Sequence, residues 1–213
     1  MLLTDFPNEI VCKIAEYLPF DDLLQLEVVN KQFYIIIKTF IWPEKDTFDH
    51  NSIVKRHKLN DKSIKLIFSR TPTIQTLDLS AYHSTLTYQV TSTFNMIPKL
   101  CSLNLSYIRL TNNSLRTIAR YCPLLEKIIF KECFCNSIVE KGLEILFKKC
   151  QNIKYLDFSG NDKLNGESFG HLPFGIINIK LENCFNVHPN VIENFYNNHQ
   201  QWPNLQLPLF SDE

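Results

Sequence analysis

The sequence predicts an α/β protein: an all-helical module over residues 1–45, then a solenoid of repeated strand–turn–helix units. Three observations predict it. A short apolar frame recurs at near-constant spacing through the second part of the chain. Segments with helical periodicity lie between its copies. The first 45 residues hold three amphipathic helical segments and no copy of the frame.

The helical module reads in order as follows. Pro7 suits a helix start, and Ile10, Ile14 and Leu18 then share one face at i, i+4 and i+8 before Pro19 closes the segment. Asp21 and Asp22 open a second helix, because acids are favoured at the positive helix end, and Leu23, Leu24, Leu26, Val28 and Val29 fill it. Asn30 caps a third carrying Phe33, Ile36, Ile37, Phe40 and Ile41. A bundle this small, apolar on more than one face, buries too little alone and is expected to use part of that surface for binding. Residues 46–58 read as a linker. Its Lys55-Arg-His-Lys58 cluster is too short for a nuclear signal and reads as solvated basic surface.

The repeats occupy residues 59–213. The frame apolar-x-x-apolar-x-apolar occurs at Ile74-Leu77-Leu79, Leu100-Leu103-Leu105, Leu125-Ile128-Phe130, Ile153-Leu156-Phe158 and Ile176-Ile179-Leu181, with a weaker start at Leu205-Gln-Leu207-Pro-Leu209. The middle apolar residues are 26, 25, 28 and 23 apart. The frame and spacing resemble leucine-rich repeats. Period-two alternation puts Leu77 and Leu79 on one face and Asp78 on the other. Between the strands, Ile64-Ile67-Phe68, Leu115-Ile118-Ala119 and Leu143-Leu146-Phe147 fall at i, i+3, i+4. Pro72, Pro98, Pro123, Pro173 and Pro203 stop helices ahead of strands. A unit of this kind cannot bury its apolar face alone, so stacking is required, with parallel strands on a concave face and helices on a convex one. A doubly wound α/β domain also alternates strands and helices, but without a fixed frame. Cys133, Asn161 and Cys184 follow their strands by three residues, a slot where leucine-rich repeats turn a small polar group inward; Cys122 and Cys150 sit where helices end. The run Leu115-Arg-Thr-Ile-Ala-Arg-Tyr-Cys-Pro-Leu-Leu125 resembles the cysteine-containing class.

The helical module resembles an F-box in its turn. The stretch Asp5-Phe-Pro-Asn-Glu-Ile-Val-Cys-Lys-Ile-Ala-Glu-Tyr-Leu-Pro-Phe-Asp-Asp-Leu-Leu-Gln-Leu-Glu-Val-Val-Asn-Lys-Gln-Phe33 matches that pattern at Pro7, Glu9, Ile10, Ile14, Leu18, Asp22, Leu23, Val28 and Phe33. It departs at Phe6, where the family usually has leucine. An F-box before cysteine-type leucine-rich repeats is a known arrangement. The resemblance implies a substrate-recognition subunit of an SCF-type ubiquitin ligase: the F-box binds a Skp-type adaptor and through it cullin and RING subunits, and the repeats hold a protein substrate destined for proteasomal degradation. The expected adaptor surface is Phe6, Pro7, Glu9, Ile10, Ile14, Leu18, Leu23, Leu24 and Val28. The expected substrate surface is the polar side of the strands: Asp78, Asn104, Glu126, Lys127, Ile129, Lys131, Lys154, Tyr155, Asp157 and Lys180. A leucine-rich-repeat scaffold acting outside a ligase is the alternative.

Composition limits other classes. The 22 basic and 22 acidic residues cancel, which argues against nucleic acid or anionic membrane as partner. Residues 1–45 carry seven acids against four lysines, too small an asymmetry to name a partner. The start has no signal-peptide pattern, the longest apolar run is Phe33-Tyr-Ile-Ile-Ile37, and seven scattered cysteines read as free thiols, so the cytoplasm, the nucleus or both are expected. The triplets at Asn104 and Asn112 are then chance glycosylation matches. Cys133-Phe-Cys135 has no second pair and no nearby histidine, so neither metal nor other cofactor is expected. His50, His57, His83, His171, His188 and His199 make no metalloenzyme spacing, and five glycines form no phosphate loop. No enzymatic activity is expected.

Overall fold

The computed structural model describes residues 6–54, 59–134, 139–188, 190–191 and 193–194. The basic cluster at 55–58, Cys135 and the weak frame at 205–209 lie outside them. Six helices and six strands organise the described residues: α1 Asn8–Glu16, α2 Phe20–Glu27, α3 Lys31–Ile36, β1 Thr47–Phe48, α4 Asp61–Arg70, β2 Thr76–Asp78, β3 Ser102–Asn104, α5 Asn112–Tyr121, β4 Lys127–Ile129, α6 Glu140–Lys149, β5 Tyr155–Asp157 and β6 Asn178–Lys180.

Helix boundaries follow local chemistry. Pro7 and Pro19 sit just outside α1 and α2, where their fixed φ feeds the helix without a lost N–H bond. The Asn30 side chain accepts from Phe33 N–H and starts α3. A π-helical turn, Ile37–Ile41, continues it and leaves Phe40 exposed while Ile37 and Ile41 stay buried. Capping boxes open α4 (Asn60 with Ser63) and α5 (Thr111 with Ser114). The expected i, i+3, i+4 triplets at Ile64, Leu115 and Leu143 all face the core.

The strands form one parallel sheet in sequence order, β1 to β6, with Leu77, Leu103, Ile128, Leu156 and Ile179 in register. This is the architecture of an α/β leucine-rich-repeat solenoid. Within the stretch 46–58, expected as a linker, Thr47–Phe48 form β1, which pairs with β2 through Thr47–Thr76 and Phe48–Leu77. Phe48 is fully buried and contacts Phe20 of the helical module (5.1 Å between ring centroids), Phe68 of α4 and Tyr82. One apolar core therefore runs from α1–α3 through the last described repeat.

The turns after the strands repeat as well. Tyr107, Glu132, Gly160 and Asn183 all have positive φ, between 52° and 77°, and each precedes the inward slot Ile108, Cys133, Asn161 or Cys184. Only Gly160 adopts that conformation without cost, and a Cβ there would fall 2.6 Å from Glu132 Cγ. Cys133 Sγ donates to Leu105 O and Cys184 Sγ to Phe158 O, stitching each turn to the preceding strand. In α6, Glu140 is buried, and its carboxylate accepts N–H bonds from Asn165, Gly166 and Ser168, which fixes the short 3-10 helix Glu167–His171 against it.

Candidate functional site

Two surfaces have the composition of binding sites. The first belongs to α1. Val11 and Ala15 point into the core, so the next stripe, Ile10 and Ile14, stands 42% and 41% exposed, and Tyr17 one turn on is 88% exposed. Pro7 and Glu9 are exposed beside them, while Phe6 and Leu18 are half-buried against the core. Val28 and Val29, just past the end of α2, are exposed too. Large apolar side chains left in water on a folded helix mark an interface. Two residues expected on this surface are elsewhere. Leu23 is fully buried where α2 packs on α3 and the π-helical turn, and Leu24, half-buried, lines a cavity of about 150 Å³ with Ile53, Leu59 and Ile67. Tyr17 and Val29 join this surface beyond the residues the resemblance implies; Tyr17 lies at i+7 from Ile10, a spacing visible in the sequence.

The second surface is the polar face of the sheet. Register aligns Ser102, Lys127, Tyr155 and Asn178 in one row and Asp78, Asn104, Ile129, Asp157 and Lys180 in the next. Adjacent strands pair these side chains. Asn104 Nδ2 donates to Asp78 Oδ2 at 2.9 Å, Lys154 Nζ meets Glu126 Oε2 at 2.8 Å, and Lys127 Nζ lies 5.3 Å from the Tyr155 ring centre. Asp78, Asn104 and Asp157 each also accept from the serine two residues on, closing the same turn in three repeats. The fourth strand breaks this pattern with Ile129 and Lys131. Lys131 Nζ reaches Asp157 Oδ2 at 3.1 Å, and that bond raises the ammonium above its ordinary pKa. Asp157 itself is 2% exposed, so it orders the face and does not present a free carboxylate, contrary to the expectation that it contacts substrate. Glu126, Lys127 and Lys154 remain exposed, and Ile129, Tyr155 and Lys180 partly so.

Residues 3–44 match the family model of the F-box domain. The chain carries an F-box domain ahead of a solenoid of parallel strands and helices. The match spans α1 to α3 and the π-turn, so the exposed stripe of α1 belongs to the F-box. As a family, F-box domains bind Skp-type adaptors and confer a role in substrate recognition by SCF-type ubiquitin ligases, typically as non-catalytic subunits. Among solved structures, the chain is similar to the leucine-rich repeat-containing protein LegL7 from Legionella pneumophila, with 15% identity over 76% of this chain and 56% of that one and a TM-score of 0.46. Among the described residues no group of three His, Cys, Asp or Glu side chains could hold a metal, and no helix is long and apolar enough to cross a membrane.

Proposed function

We propose that this F-box protein is the substrate-recognition subunit of an SCF-type ubiquitin ligase, with α1 docked on a Skp-type adaptor and the strand face holding a target protein. The observation that carries the reading is the exposed Ile10–Ile14–Tyr17 stripe within the F-box. An interface needs a desolvated apolar centre, and these side chains supply one without leaving the core unfilled. The adaptor would bring cullin and RING subunits, and the chain would then raise the local concentration of target lysines near charged ubiquitin, doing no chemistry itself. This role places it in the cytosol, the nucleus or both.

The fused core supports such a bridge. Phe20, Phe48 and Phe68 join F-box to repeats, so the distance from adaptor to target is set by packing and not by a flexible tether. On the strand face, the only break in the Asx–serine turn pattern among β2 to β5 puts Ile129 opposite Asp157, on the same face as and diagonal to Tyr155, whose own partner is Lys127. An aromatic with an apolar neighbour amid paired charges has the composition of a hot spot. The test is affinity capture with a protein carrying Ile129→Asp and Tyr155→Ala. The expected result is loss of bound targets with the adaptor retained. Targets retained in full would show that the strand face does not hold them.

A further inference from the structure

A cationic groove crosses the helix face of the repeats, away from the strands. It has a volume of about 920 Å³ and lies between α5, the turn that follows it, α6 and the 3-10 helix Tyr88–Met96. Arg116, Arg120 and Lys149 line it, and among the described residues no acidic side chain does. Tyr121 and Ile145, both half-buried against the core, form an apolar floor.

The charges that line the groove take no part in ion pairs among the described residues, as is true of other surface lysines such as Lys62 and Lys127; what distinguishes them is that three converge on one groove. On the strand face Lys131 and Lys154 are paired with Asp157 and Glu126. On the neighbouring stripe of α6, Lys148 is paired with Glu144. Arg116, Arg120 and Lys149 take part in none of the ion pairs among the described residues; Arg116 makes one long bond, 3.4 Å, to Asn113 Oδ1. Arg116 and Arg120 stand at i and i+4 on α5, which contains no acid, and like charges at that spacing weaken a helix. Arg120 and Lys149 lie in last turns, where helix carbonyls favour a cation, but Arg116 sits mid-helix and has no such compensation. Two forked guanidiniums one turn apart, with an ammonium on the facing helix, suit carboxylates spaced along a peptide.

We propose that this groove is a second docking site, which takes an acidic peptide segment of a partner protein, its carboxylates on Arg116, Arg120 and Lys149 and its apolar side chains on Tyr121 and Ile145. The mixed floor decides for a peptide. A nucleic-acid backbone needs a longer basic track, and the chain as a whole is neutral. The site is on the opposite side of the sheet from the target surface proposed above and stands or falls independently of it.

The experiment is fluorescence anisotropy of the full chain with a fluorescein-labelled peptide alternating glutamate and leucine. Binding is expected, weakening as salt rises from about 0.05 M to about 0.3 M. Arg116→Gln with Arg120→Gln, both at exposed positions that leave the core intact, is expected to lower affinity roughly tenfold or more. Lys180→Gln on the strand face is expected to leave it unchanged. Equal binding of a glutamine–leucine peptide, tighter binding of single-stranded RNA, or an arginine double variant that binds as the parent does would each overturn the proposal. Loss of binding in Lys180→Gln would overturn it as well, by moving the site to the other face.

Discussion

Glu27 and Arg70 meet at the seam between F-box and repeats: Arg70 Nε lies 3.1 Å from Glu27 Oε1 and donates to Oε2 at 3.2 Å. The Trp42 indole N–H donates to the same Oε2 at 3.3 Å. Glu27 is 4% exposed, so its charge depends on these two donors. Removing one partner of a buried pair strands the other, which costs far more than the pair contributes. Arg70→Ala is expected to destabilise the whole chain by about 3 kcal/mol, read by urea unfolding. Because the core is continuous, a single transition should shift, with F-box and repeat signals moving together. Two separated transitions would contradict a fused core.

Asn161 holds four backbone groups. Its Oδ1 accepts from Cys133 and Phe134 N–H, each at 2.8 Å, and its Nδ2 donates to Phe130 and Phe158 carbonyls at 2.7 and 2.6 Å. Asn161→Leu leaves those groups unpaired at a fully buried position, at about 1–3 kcal/mol each. A loss of at least about 3 kcal/mol in denaturant unfolding is expected. A loss under 1 kcal/mol would show that the turns find other partners.

Three buried thiols make stability depend on alkaline pH. Burial pushes Cys184 up to about 11 and Cys150 up to about 12, and raises Cys122 further. An unfolded thiol ionises near about 8.5. Above that pH the unfolded chain sheds protons that the folded chain keeps, so stability is full below it and falls as pH rises toward the folded values. Each thiol contributes a slope of about 1.4 kcal/mol per pH unit. The check is unfolding of the parent and of Cys150→Ala from pH 8 to pH 10. The variant should lose less stability over that span; parallel curves would contradict the burial of Cys150. In the same series, maleimide labelling of native protein should reach Cys12 and Cys101, both partly exposed, long before the buried thiols.

Much of this was legible in the sequence, and the exceptions have physical causes. The repeats announce themselves because each strand must repeat the same burial: Leu77, Leu103, Ile128, Leu156 and Ile179 occupy equivalent slots, and the inward Cys133, Asn161 and Cys184 follow from them. Strand β1 was hidden since it is two residues long and lacks the frame; Phe48 earns its place by contacts with residues distant in the chain. Leu23 and Leu24 share composition with exposed leucines; the packing of α2 on α3 buries the first, and the approach of Ile53, Leu59 and Ile67 half-covers the second. Asp157 reads as a surface carboxylate because its partners, Lys131 and Ser159, converge only after the turn closes. The cationic groove joins α5 to residues contributed by α6, and no local pattern marks it.

The central claim is that the F-box presents α1 to a Skp-type adaptor, and isothermal titration of the purified chain with such an adaptor tests it most directly. Ile10→Asp and Ile14→Asp change exposed side chains, so each variant should keep the parent's unfolding midpoint. Loss of one interface anchor commonly costs about 2 kcal/mol or more, near thirtyfold in affinity. Leu23→Ala is the control: it should lower stability by about 2–5 kcal/mol through a core cavity. The account predicts stoichiometric binding of the parent and a loss of about thirtyfold or more in each folded aspartate variant. Undiminished binding by both variants, or no binding by the parent, would contradict it.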